Sequence, residues 1–168
     1  MNFIWPIEDQ WNHCNVRSVL QRQDIEPYWT KLYQTINGIQ WDDLINLHNH
    51  EYAMKSMSMS RAISETIEDK LIEIGAQKKA SIFSKSIGRY SIWRKLGPIA
   101  IEYAFGHPDG IRSKLNKLAT AIIPNKYSMQ NQCQVGILIV ATESLRKAAQ
   151  FDAKANWEIA VEDLDIMS

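Results

Sequence analysis

Two apolar runs of strand length, Ile99–Phe105 and Val135–Ala141, bracket a stretch patterned as a helix, and that order leaves the chain few folds to adopt. In the first run Ile99, Ile101, Tyr103 and Phe105 fall on one face of a strand, with Ala100, Glu102 and Ala104 on the other. Between the runs Ile111, Leu115, Leu118 and Ile122 recur at helical spacing, and Pro124 ends them. The second run is continuously apolar, the pattern of a strand buried on both faces. Strand, helix, strand in this order predicts a parallel pair joined by a right-handed crossover. The expected fold class is α/β, a sheet flanked by helices.

Helical patterns lie on either side of this unit. From Asp24, Pro27 suits a first turn, Trp29, Leu32, Tyr33 and Ile36 share a face, and Asn37-Gly38 ends the helix. Trp41–His48 reads as a short helix, and Met54–Met59 as a Met/Ser-rich connector. Ile63, Ile67, Leu71 and Ile74 mark another helix, with Glu65, Glu68, Asp69 and Lys70 between them and Gly75 as its stop. Gly97-Pro98 opens the first strand, while Glu143–Gln150 and Ala155–Leu164 read as closing helices. The chain of 168 residues is expected to form one domain, with a mostly helical part over 1–75 and the strand–helix–strand core over 97–141.

Charge narrows the choice of partners. There are 19 basic and 19 acidic side chains, so a basic field over the whole surface is excluded and any nucleic-acid contact must be a local patch. The one asymmetry is a run of Lys78, Lys79, Lys85, Arg89, Arg94 and Lys95, with no acid between Glu73 and Glu102. Phe83, Tyr90 and Trp93 interleave with it, which suits phosphate contacts combined with stacking. A solvated basic loop paired with Glu158, Glu162, Asp163 and Asp165 would carry the same letters. Cys14 and Cys133 fall in no metal or redox spacing and read as plain thiols. Residues 1–6 have no signal-peptide pattern and no run is long enough to cross a bilayer, so a cytoplasmic protein without membrane contact is expected.

Glu102 is the single residue that most invites chemistry. It is a carboxylate on a strand, and its face-mates are the small Ala100 and Ala104. Burying a charge there is costly unless a metal, a basic side chain or water compensates, so a structural ion pair and a metal-ligand origin both stay open. His48-Asn49-His50 spells a nuclease label without the strand pair that label requires. Pro108-Asp109 and Asp152-Ala-Lys154 match a nuclease motif only as letters, since Asp109 follows the strand and Asp152 falls in a helix-like stretch.

The stretch Ile99-Ala-Ile-Glu102-Tyr-Ala-Phe-Gly106 resembles the core strand of the BglII/BstYI type II restriction endonucleases, which have the PD-(D/E)xK fold. The similarity extends to the helix near Ile63–Gly75, the helix near Ile111–Ile123, the run Val135–Val140 and the late pair Trp157-Glu158, over about the last two-thirds of the chain. The resemblance implies a restriction-endonuclease-like mixed sheet flanked by helices. It also implies a site in which two acids hold Mg2+ and a Lys, Gln or Glu two residues after the strand acid positions the attacking water. Glu102 matches the strand acid. The helper position is Ala104, and the position of the upstream acid is Trp93, so the motif is incomplete. Glu65, Glu68 or Asp69 on the preceding helix, or His107 just past the strand, are candidates to support Glu102.

Three functions follow as expectations. The first is a DNA-binding protein on this fold with catalysis lost or rebuilt, using the basic run for double-stranded DNA. The second is an active Mg2+-dependent endodeoxyribonuclease. The third is a protein-interaction or regulatory module that keeps only the fold. A homodimer is expected if the protein acts on DNA.

Overall fold

The computed structural model describes residues 16–55, 57–81, 91–105, 110–123, 132–150 and 156–166, with backbone alone at 79–81, 156 and 166. A short helix α1 (Val16–Leu20) leads into α2 (Glu26–Asn37) and α3 (Trp41–Leu47). The long α4 (Met59–Glu73) precedes a hairpin of β1 (Gln77–Ser81) and β2 (Ser91–Leu96). The strand β3 (Ile99–Ala104), helix α5 (Gly110–Ile122) and strand β4 (Val135–Val140) follow, then α6 (Glu143–Ala149) and α7 (Asn156–Ile166).

The helix signals act as their chemistry dictates. Pro27 sits in the first turn of α2, where its missing N–H leaves no helical bond unmade. The Gly38 N–H closes the other end on carbonyls of Gln34 and Ile36. Gly75, at φ +86°, turns the chain out of α4 in a conformation that L side chains rarely adopt. His48-Asn49-His50 lies inside a continuous helical stretch, because α3 runs on through a wide π turn at His48–Tyr52 and a 3-10 turn at Ala53–Lys55.

The four strands form one mixed sheet in the order β1-β2-β3-β4. β1 and β2 are antiparallel, as are β2 and β3, and β3 and β4 are parallel from Ile99↔Val135 to Ala104↔Val140. The expected parallel pair with a helical connection is therefore present, and helices flank the sheet. Leu96 and Ile99 pair across the tight turn Gly97-Pro98. Gly97 has φ +55°, and a Cβ there would come within 2.5 Å of the Tyr28 ring, so conformation and space both require glycine.

The basic run is not a loop throughout. Its two ends form β1 and β2, with Ile92, Arg94 and Leu96 buried and Ser91, Trp93 and Lys95 half-exposed. The expectation that β4 is buried on both faces also needs correction. Only Val135 is buried and 136–140 are half-exposed, because β4 is an edge strand of the sheet among the described residues.

The two faces of β3 have different covers. Ile99, Ile101 and Phe105 pack with Ile63, Ile67 and Leu71 of α4 and with Leu32 and Ile36 of α2. Each such side chain contributes about 1.5–3 kcal/mol by leaving water. On the other face Ala100 packs with Leu118, and Ala104 with Ile111, Leu115 and, from α7, Ala160. These small residues let α5 approach closely. At Gly136 a Cβ would lie 3.0 Å from side-chain atoms of Leu118 and Ile122, so this helix rests almost on the backbone of β4. Cys133 is buried, and burial raises its pKa; Cys14 lies outside the described residues. No helix of the described residues is long and apolar enough to cross a membrane.

Candidate functional site

Glu102 lies where β2 and β3 part. Their pairing runs through Leu96↔Ile99, Lys95↔Ala100 and Arg94↔Ile101, and no pair follows. Beyond it the alternation of β2 is broken. Ile92 packs with Ala100 and Leu118 on the α5 side, while Arg94 reaches Glu68 on the α4 side. At this break the Trp93 backbone N–H donates to Glu102 Oε1 over 2.8 Å. The other carboxylate oxygen, Oε2, accepts from Lys114 Nζ of α5 at 3.2 Å. Glu102 is only 1% exposed, whereas the Lys114 side chain retains 26%. The ammonium also sits 5.9 Å from the centre of the Tyr103 ring, within cation–π range. Glu102 is therefore a buried acid neutralised by a lysine that still reaches solvent. Removing one member of a buried pair of this kind strands the other charge at a cost of about 3–5 kcal/mol.

A second carboxylate occupies the opposite face. Glu68 of α4 accepts from the Trp93 indole N–H, the Tyr103 hydroxyl at 3.0 Å and the Arg94 guanidinium, and Lys78 Nζ lies 3.5 Å away. Burial opposes its ionisation, but the hydrogen bonds from Trp93, Tyr103 and Arg94 outweigh it and hold the carboxyl below its usual range. The Tyr103 phenol moves the other way, raised first by burial and then by its bond to Glu68. Trp93 and Tyr103 meet edge to face, with ring centres 5.9 Å apart.

The expected supporting acids are thus not gathered around Glu102. Glu68 packs on the far side of the sheet and is saturated by donors of its own. Glu65 is half-exposed on that same helix. His107 lies outside the described residues. Of the basic run, Arg94 is corrected most plainly. It is 1% exposed and ion-paired to Glu68, so it is an interior residue and not a phosphate contact. Lys78 is exposed but already pairs with Glu68, and Lys95 is half-exposed. Lys85, Arg89 and the side chain of Lys79 lie outside the described residues. The imagined pairing of this run with the acidic C-terminal stretch is replaced, at Asp163, by a bridge to Arg112 of α5.

Lys114 is the residue that sequence reading missed. Its position carried a signal, since it falls on the same helical stripe as Ile111, Leu115 and Leu118, which bury against β3 and β4. A lysine on the buried stripe of the helix facing a strand glutamate is an ion pair in prospect.

Mg2+, implied by the resemblance, does not fit this donor set. One oxygen of Glu102 is taken by an N–H and the other by an ammonium, and its face-mates Ala100 and Ala104 offer no ligand atom. Among the described residues no three His, Cys, Asp or Glu side chains come together to hold a metal ion. No family model, curated protein or solved structure matches this chain.

Proposed function

We propose that this chain is a DNA-binding protein on a restriction-endonuclease-like core whose metal-dependent cleavage has been lost. The observation that carries the reading is the meeting of Glu102 and Lys114 on the central strand β3. An acid and a lysine come together on the strand where the resemblance puts the active site, with the lysine arriving from α5 and not from position 104. The order of a preceding helix, the acid-bearing strand, a connecting helix and a parallel strand agrees with the resemblance along the chain. Lys95 is half-exposed and Lys78 exposed, so among the described members of the basic run these two are the cations that a phosphate can reach, Lys78 being shared with Glu68. An active Mg2+-dependent nuclease is disfavoured by the donor set around Glu102.

A duplex mobility-shift titration tests the reading. Binding should weaken steeply as salt rises, because each neutralised phosphate releases counterions. No shift at low ionic strength removes the proposal. In the same reading the DNA-bound form is a homodimer, which light scattering with and without duplex measures.

A protein-interaction module is the second reading, favoured by one feature. Met54 is 93% exposed and Met57 47%, which puts two flexible apolar side chains on the connector before α4. Co-purification of a protein partner, lost in the double variant Met54→Ser/Met57→Ser, with no DNA shift would favour it over the first.

A further inference from the structure

We infer that the Lys114 ammonium stands in the place where two-acid chemistry calls for a divalent cation, and that the Glu102 pocket takes no divalent ion while Lys114 is there. The inference rests on the proposed reading only for the expectation of a cation beside Glu102, and its test uses no DNA.

Charge balance carries the argument. Glu102 and Lys114 together are neutral, in a pocket where the carboxylate is 1% exposed. A divalent ion on Glu102 would leave a net positive charge there, in addition to the displaced ammonium a few ångströms away. Like charges at that separation repel strongly where water is scarce. Ligand supply argues the same way. Magnesium takes six oxygens in near-octahedral array and calcium six to eight. Here one carboxylate faces the alanines 100 and 104, and one of its oxygens is already bound to the Trp93 N–H. The second acid that could have shared an ion, Glu68, packs on the other side of the sheet against Trp93, Tyr103 and Arg94. A tethered ammonium meets none of these difficulties. It brings a single charge, donates directly to Oε2 and keeps the Tyr103 ring as a second neighbour.

The full chain is titrated with Mn2+ and with Tb3+, reading the thermal midpoint and the terbium emission sensitised by nearby aromatic rings. In the wild type neither readout should depend on Glu102, so wild type and Glu102→Gln should respond alike. Reversing the charge with Lys114→Glu should turn the position into a two-carboxylate site. That variant should melt lower than wild type without metal, and millimolar Mn2+ should raise its midpoint by roughly 3 °C or more. Adding Glu102→Gln should abolish the gain. A variant that is unfolded without metal and folds with it counts as the same support. Ion binding by the wild type that Glu102→Gln removes overturns the inference. So does a Lys114→Glu variant with no Glu102-dependent gain, or one that stays unfolded in both conditions. Failure of the DNA shift with these cation results intact would remove the DNA reading alone.

Discussion

Lys114 reaches across from α5 to place its ammonium 3.2 Å from Glu102 Oε2, on the face of β3 turned away from Glu68. The two acids that a nuclease site would unite are therefore handled separately, each by its own basic partner. Glu102 has Lys114, and Glu68 has Arg94 and Lys78.

Lys114→Met should destabilise the protein by about 3 kcal/mol, the lower end of the range for breaking a buried pair, since the lysine end is partly solvated. The double variant Lys114→Met/Glu102→Leu should recover most of that loss, because no charge is then left stranded. Urea denaturation of the four proteins in the cycle measures the coupling. Simple addition of the two single losses would mean that the pair is not coupled.

Glu68 has its carboxyl pKa below the usual range in the folded state. Its contribution to stability is therefore complete above about pH 4.3, the unfolded value, and disappears as pH falls toward the depressed folded value. Glu68→Gln should flatten the acid limb of a stability–pH curve in that window and lower the plateau at neutral pH. Acid limbs of equal slope in wild type and variant would contradict the assignment.

Tyr103 has the opposite sign. Its folded pKa is raised, so the stability it lends is present below about pH 10 and is lost as the solution becomes more alkaline. Tyr103→Phe removes the hydroxyl that donates to Glu68 and should cost about 1 kcal/mol at neutral pH. Thermal melts from about pH 7, where the phenol is protonated in both folded and unfolded chains, to about pH 11, past its ordinary value, should converge for the two proteins at the alkaline end.

Gly97→Ala should destabilise by more than about 1 kcal/mol, since alanine must adopt φ +55° and its Cβ meets the Tyr28 ring. Combining it with Tyr28→Ala should remove the collision but not the backbone part. A combined variant no worse than Tyr28→Ala alone would show that the turn itself tolerates a side chain.

Apolar periodicity made α2, α4, α5, β3 and β4 legible in the sequence, because burial of Ile, Leu and Val decides each of them. β1 and β2 escaped because five of their eleven residues, Lys78, Lys79, Arg94, Lys95 and Gln77, are long and polar, so the strands read as a solvated basic stretch. Arg94 shows why that reading misplaces a charge. Its guanidinium is internal because a partner on α4, distant in sequence, neutralises it. Glu102 stood out at once as a strand carboxylate, yet its partner did not. A search for further acids passes over a lysine that projects from the next helix.

Trp93 is the hinge-pin between the two acids. It holds Glu102 by its main chain and Glu68 by its indole. A carboxylate on each face of the sheet thus takes a proton donor from the same amino acid, so exchanging this one tryptophan alters the surroundings of both.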